Sequence, residues 1–312
     1  MARKTTMTIS GFNFVMPKPH SPERYVEALK AARGLFRPMK MWGDYSGLLE
    51  TVHPHVEDGY VTGTIIRFLD LDLVRDWFNT ETNRPASREE VNRRVTIPAH
   101  LKPHLSRTEF VFFPDSHMLF YVRQARPSEP GIGPSQLKQF FTNLFTSWEL
   151  ITEYGLIEVS IIPEMEAVEG ILSHAYLRTL HITVKLPNPD GVADVSARVA
   201  ARLEAENARA HEERLVADKK KYLQPDADRH TLARVAATHG SVRGVVGKRG
   251  ESKTLLSTED TPLIEAEPYN PETQTLVSVL LDSAKSVVQR LQAWQRSSGE
   301  RRPQAQDDGD GT

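Results

Sequence analysis

Cysteine is absent from the 312 residues, which excludes disulfides, thiol catalysis, thiolate metal sites and iron–sulfur clusters within the chain. No apolar run approaches the ~20 residues of a membrane-spanning helix. The opening MARKTTMTISGF also lacks the apolar stretch of a secretory leader, so the expectation is a cytoplasmic protein without membrane contact. An excess of either charge is missing too: 39 Lys and Arg face 41 Asp and Glu, a formal net charge of −2. Nothing therefore draws the whole chain to nucleic acid or acidic lipid, and such binding must come from a local patch. What is present suffices for folding, since 39% apolar residues can supply the core of one large or two ordinary domains. There is no internal repeat.

The chain is organised around residues 156–187, LIEVSIIPEMEAVEGILSHAYLRTLHITVKLP. Ile157, Val159 and Ile161 alternate with polar residues, as do Leu180, Ile182, Val184 and Leu186, which is the period of half-buried strands. Between them Met165, Val168, Ile171 and Leu172 fall at helical spacing. Upstream, residues 8–15 read as a strand. A helix follows, with Ser21 as N-cap, Pro22 at its first position and a stripe of Tyr25, Leu29, Ala32 and Phe36. YVTGTIIRFL (60–69) is a second strand, DLDLVRDWFN a turn or short helix, and SREEVNRR a short helix in a long Pro-rich loop. RTEFVFF and MLFYVR flank the polar turn Pro114-Asp115-Ser116-His117 as a hairpin. SQLKQFFTNLFTSW is an amphipathic helix capped by Ser135.

From Val192 an Ala-rich, charged stretch to Leu223 has the period of one long helix, stopped by Pro225. DRHTLARVAATHG is a further helix ended by Gly240 as C′ residue. SVRGVVGKRGESKTLLSTED is a hairpin turning at Gly247-Lys248-Arg249-Gly250, and TPLIEAEPYN is extended. Residues 273–296 carry Leu276, Val279, Leu280, Val287, Leu291 and Trp294 at i, i+3, i+4, i+7 spacing, a helix whose stripe serves as core or as a dimer seam. The expected fold class is α+β: an antiparallel sheet covered by helices, with a ferredoxin-like arrangement as one solution. The expected division is a sheet domain at 1–190, a helical domain with a basic β-hairpin at 191–296, and a polar, disordered tail at 297–312.

Candidate chemistry is thin. His181-Ile182-Thr183 matches one half of the paired His-x-Thr pattern of 2H phosphoesterases, where two strand histidines supply acid and base. The second half is missing: Arg229-His230-Thr231 lies at a helix start and His53-Pro54-His55 lacks the hydroxyl residue, so His181 is read first as a histidine on the polar face of a sheet. His53 and His55 with Glu57 and Asp58, or Asp70 with Asp72, have metal-ligand chemistry without a partner cluster; a loop and an acidic turn explain them as well. Ser135-Gln136-Leu137-Lys138 has Ser-x-x-Lys spacing without its companion motifs, and the residues around Gly247-Lys248 fail the phosphate-loop spacing. Trp77-Phe78 and Met39-Lys40-Met41-Trp42 are core or anchoring clusters first, base-stacking surfaces second. No cofactor is called for.

The basic residues are more informative. Arg229, Arg234, Arg243, Lys248, Arg249 and Lys253 crowd one region with few acids, and Lys219, Lys220 and Lys221 precede it. A Gly-flanked Lys-Arg hairpin tip can ride a phosphate backbone, releasing counterions; the plain alternative is a Lys run complementing the dipole of a helix end. No aromatic interleaves with these bases along the chain, which favours a duplex backbone over a stacked single strand.

The layout of HSPERY, IRFLDLD before WF, IPAHLKPHL before FVFFPDSHMLFYV, and PSQLKQFFTNLF resembles bacterial families of unknown function from phage-defence loci, over residues 8 to 295. The hairpin, the VSIIPE strand and the HITVKLP strand are also similar to the phage lambda exclusion protein RexA and Kiwa-type defence subunits. That resemblance implies a dimeric, sequence-independent DNA-binding component of antiviral defence, and carries no catalytic residue across. The combined expectation is a non-enzymatic nucleic-acid-binding protein, with duplex DNA favoured and RNA open. Its contacts would come from Lys219, Lys220, Lys221, Arg229, Arg243, Lys248, Arg249 and Lys253. The alternatives are a metal-independent phosphodiesterase or ribonuclease using His181 with a histidine such as His174, or a docking subunit for a defence effector protein.

Overall fold

The computed structural model describes residues 5–19, 21–71, 76–94, 97–98, 100–185 and 194–296. The tail at 297–312, Asp72, and Leu186 at the end of the HITVKLP segment lie outside them. The fold is α+β with open antiparallel sheets. In chain order the elements are β1 (Thr5–Val15), α1 (Pro22–Gly34), β2 (Met39–Trp42), β3 (Tyr45–His55), β4 (Tyr60–Leu69), β5 (Phe78–Asn79), β6 (Arg84–Pro85) and α2 (Arg88–Arg94). Then come β7 (Ser106–Phe113), β8 (Met118–Gln124), α3 (Pro134–Phe145), α4 (Trp148–Tyr154), β9 (Glu158–Ile161), α5 (Met165–Leu172) and β10 (Leu177–Lys185). The remainder is α6 (Asp194–Ala205), β11 (Ala210–Val216), α7 (Ala227–His239), β12 (Gly240–Val246), β13 (Thr254–Ser257), β14 (Glu265–Tyr269) and α8 (Leu276–Arg296).

The first sheet runs β14-β1-β8-β7-β4-β3-β2, with β9 also on β1. Residues Thr5–Ile9 of β1 pair with β14, and Phe12–Val15 of the same edge pair with β9. Strands β9-β1-β8-β7, with α1 after β1 and α3 after β8, have the order of a ferredoxin-like βαββαβ unit, into which β2, β3 and β4 are inserted. The apolar runs FVFF and MLFYV are explained by burial on both faces. Phe110, Phe112, Leu119 and Tyr121 face α1, α3 and α4, whereas Val111, Met118, Phe120 and Val122 face α8. The α3 side holds interlocking rings, Phe14 with Phe141 at 5.1 Å edge-on and with Phe145 at 5.2 Å. The stripe of α8 is core: Leu280, Ala284, Val287 and Leu291 are buried against this sheet rather than left as a seam.

The second sheet runs β11-β10-β12-β13. Its covered face packs Leu180, Ile182, Val184 and Val242 under α5 and α7, while His181, Thr183, Arg214, Val216 and Leu255 stand half-buried or exposed on the outward face. The two central strands of the sequence thus separate, β9 into the first sheet and β10 into the second. This sheet draws on residues either side of 190, and β14 with α8 returns to the first.

Several local readings are corrected. The expected long helix after Val192 ends at Ala205: Asn207 turns the chain at φ 50, and residues 210–216 form an edge strand alternating exposed and half-buried residues. Helical periodicity of charged residues was a property of composition there, and the free edge of β10 decided the outcome. The α3 cap is Gly133, whose N–H is accepted by the Gln136 side chain, not Ser135. Gly240 is not a left-handed C′ residue; its φ of 171 is extended, and a Cβ there would lie 2.0 Å from the Thr183 carbonyl oxygen. His53 and His55 lie on β3 rather than in a loop, with His55 Nε2 2.9 Å from Thr62 Oγ1.

A buried polar junction ties the sheets together. Asn13 on β1 donates to the Thr238 carbonyl at 3.0 Å, and Gln295 on α8 donates to Thr238 Oγ1 at 2.9 Å. Thr238 Oγ1 is also 2.8 Å from Nδ1 of the buried His239. Glu169 on α5 gathers Arg234, His230 and the Trp294 indole N–H, so α7 and α8 are pinned to both layers.

Candidate nucleic-acid interface

Three segments converge at one end of the second sheet: residues 174–178 entering β10, 217–225 after β11, and the 247–253 turn between β12 and β13. Backbone bonds lock them: Ala217 N donates to Arg178 O at 2.8 Å, Leu223 N to Leu177 O at 2.8 Å, and Gly247 N to Tyr176 O at 3.1 Å. Side chains add to this, with Arg178 Nε donating to Gly247 O at 2.7 Å and Arg249 Nη2 to Asp218 O at 3.0 Å. Lys220 and Gly250 sit at the tight corners, at φ 69 and φ 87. The lysine run therefore lies in a tied loop, and the reading of it as a helix-end complement falls with the helix.

Within these segments stand Arg178, Lys219, Lys220, Lys221, Lys248, Arg249 and Lys253, against the carboxylates Asp218 and Glu251. None of the seven cations has a carboxylate partner among the described residues. Arg178, Lys221, Arg249 and Lys253 line a cavity of 380 Å³ with Thr179 and Val216. On the other side of Lys221 a second cavity, of 600 Å³, is lined by His174, Tyr222 and His230. The Nη2 of Arg178 is buried without a hydrogen-bond partner.

Other sequence-selected cations are placed elsewhere or neutralised. Arg229 bonds Glu213 and Asp226, at 3.0 and 2.6 Å, and these bonds push its pKa up. Arg243 meets Glu259 on the outward face; burial would raise the Glu259 carboxyl, but Arg243 and Lys138 hold it below its usual range. Arg234 is committed to Glu169 at 2.7 Å. The sequence reading missed Arg178 and Tyr176, because only the fold brings the entrance of β10 to the two basic loops, and it passed over Tyr222, which directly follows Lys221.

The remaining motifs stay dispersed. His181 Nε2 lies 3.6 Å from Glu212 across the β10–β11 pair, and it does not line the cavity that holds His174 and His230. Asp70 is paired with Lys102 at 2.6 Å. Among the described residues no group of three His, Cys, Asp or Glu side chains is arranged to hold a metal ion. No helix among them is long and apolar enough to cross a membrane.

The family model described as Domain of unknown function (DUF4747) covers residues 5–285. No curated protein matches the sequence.

Proposed function

We propose that this chain, which belongs to the family described as Domain of unknown function (DUF4747), is a non-enzymatic protein that binds nucleic acid without regard to base sequence. The observation that carries the reading is the convergence of Arg178, Lys219, Lys220, Lys221, Lys248, Arg249 and Lys253 at one end of the second sheet, none with a carboxylate partner among the described residues. A protein with net charge −2 gains phosphate affinity from such a local excess, because each neutralised phosphate releases condensed counterions. Arg229 and Arg243, bonded to their own carboxylates, are outside the contact set.

The resemblance read from the sequence to RexA and to phage-defence families is the ground for proposing that this binding serves bacterial antiviral defence, with the protein acting as a homodimer beside an effector protein. The test is a binding titration at two salt concentrations. Replacing Lys248, Arg249 and Lys253 together by Ala should weaken binding and flatten the plot of log affinity against log salt by roughly two units of slope. Unchanged affinity and slope in that variant would remove the assignment. A second reading, phosphodiester cleavage, has in its favour that His174 and His230 share a cavity with Lys221; product shortening that disappears in His174→Ala would establish it.

A further inference from the structure

We infer that the nucleic acid held here is a single strand, with its phosphates on the two basic loops and its bases on Tyr176 and Tyr222; this rests on the binding reading above. The two rings meet edge-on, with centroids 5.3 Å apart and planes at 75°. The Lys248 ammonium lies 5.3 Å from the Tyr176 centroid, and His174 lies 6.1 Å from the same ring. Tyr176 is 36% exposed. Neither tyrosine belongs to the apolar cluster beneath the sheet, which ends at their neighbours Leu177 and Leu223. Tyr176 carries the Lys248 ammonium over its ring, and Tyr222 lines the larger groove beside Lys221.

The composition of the site sorts between ligand shapes. A duplex offers a rigid protein surface its phosphates, and puts a base face on a tyrosine only after unstacking, which costs a few kcal/mol per step. A single strand offers phosphate and base face together, and base-on-ring stacking tolerates any sequence because every base has a π-face. Lys219, Lys220 and Lys221 directly precede Tyr222 on one loop, and Lys248 of the other loop lies over Tyr176, so a strand crossing from one loop to the other meets a cation beside each ring. Arg178, Lys221, Arg249 and Lys253 together give the smaller groove four cations that a phosphate can enter between. Along the chain Tyr222 directly follows the lysine run; folding adds Tyr176 from the entrance of β10.

The full-length protein, with dye-labelled oligo(dT), oligo(U) and a mixed-sequence duplex of equal length, provides the test by fluorescence anisotropy. Both single strands are expected to bind more tightly than the duplex. Tyr176→Ala should weaken single-strand binding roughly 10- to 100-fold, the range of one lost stacked base, while leaving the salt slope unchanged, and Tyr176→Phe should retain it. A preference between oligo(dT) and oligo(U) assigns the strand to DNA or RNA within the proposal. Duplex binding equal to or tighter than single-strand binding, or single-strand affinity untouched by Tyr176→Ala, overturns the inference and leaves the cationic site standing. Failure of all three probes to bind overturns both.

Discussion

At the scale of single residues, what separates a binding cation from a structural one is whether the fold has given it a carboxylate. Arg229 and Arg243 carry the same single positive charge as Lys221, yet each is bonded to a carboxylate of its own or a neighbouring segment. Their replacement by Ala should change nucleic-acid affinity less than about two-fold, since each gives up a pair and not a phosphate contact. Lys221→Ala should cost several-fold and reduce the salt slope by about one. Anisotropy titrations of the three variants check this ordering, and equal losses in all three would contradict it. The sequence made the basic region legible but not this sorting, because partners such as Glu213 and Glu259 are set by strand register.

His239 gives a second residue-level expectation. Burial pulls its imidazole down to about 4, against a hydrogen bond to the Val235 backbone that works the other way. The unfolded chain therefore takes up this proton first. The stability at stake is fully present above pH ~6.5, falls as the pH drops towards 4, and changes no further below that. By pH 5 the loss from this group is about 2 kcal/mol. Urea melts at pH 7.5 and 5 should show a smaller drop for His239→Gln than for the parent by about that amount, and an equal drop would mean that the imidazole is not held neutral.

Among the elements, those with two-sided or strongly periodic burial were readable. The β7–β8 hairpin, α1 with its Ser21 cap, α7 and α8 lie where alternation and stripes place them, except that Phe36 leaves the α1 stripe: it follows the helix at φ 44 and is exposed. Elements defined by a partner were not. β3 carries glycine, proline and two histidines, and owes its form to pairing with β4 along its length. β11 carries helix-forming Ala, Glu and Arg, and is a strand because β10 offers an open edge. The α7–β12 junction is the tightest such dependence. Gly240→Ala would drive a Cβ into the Thr183 carbonyl, which must part β12 from β10 at a cost of about 2–4 kcal/mol. Thermal unfolding should register it as a large fall in midpoint, whereas Gly34→Ala, where a Cβ meets nothing within 4 Å, should not.

Over the whole molecule, the first sheet is covered by α1, α3 and α4 on one side, and its central strands β7 and β8 by α8 on the other. The second sheet is covered on one face only, and the basic segments sit at its end. The layered α+β class was legible from element order; the allocation of β9 and β10 to different sheets was not, since both show the same alternation and only long-range pairing divides them. The convergence of residues 174–178, 217–225 and 247–253 shared that dependence, and with it the site. Cross-linking measures that convergence most directly. A 4-thiouridine-containing oligonucleotide bound to the intact protein, irradiated and mapped by mass spectrometry, should leave adducts on peptides containing Tyr176, Tyr222 and residues 248–253. Adducts confined to the first sheet and its helices would contradict the account.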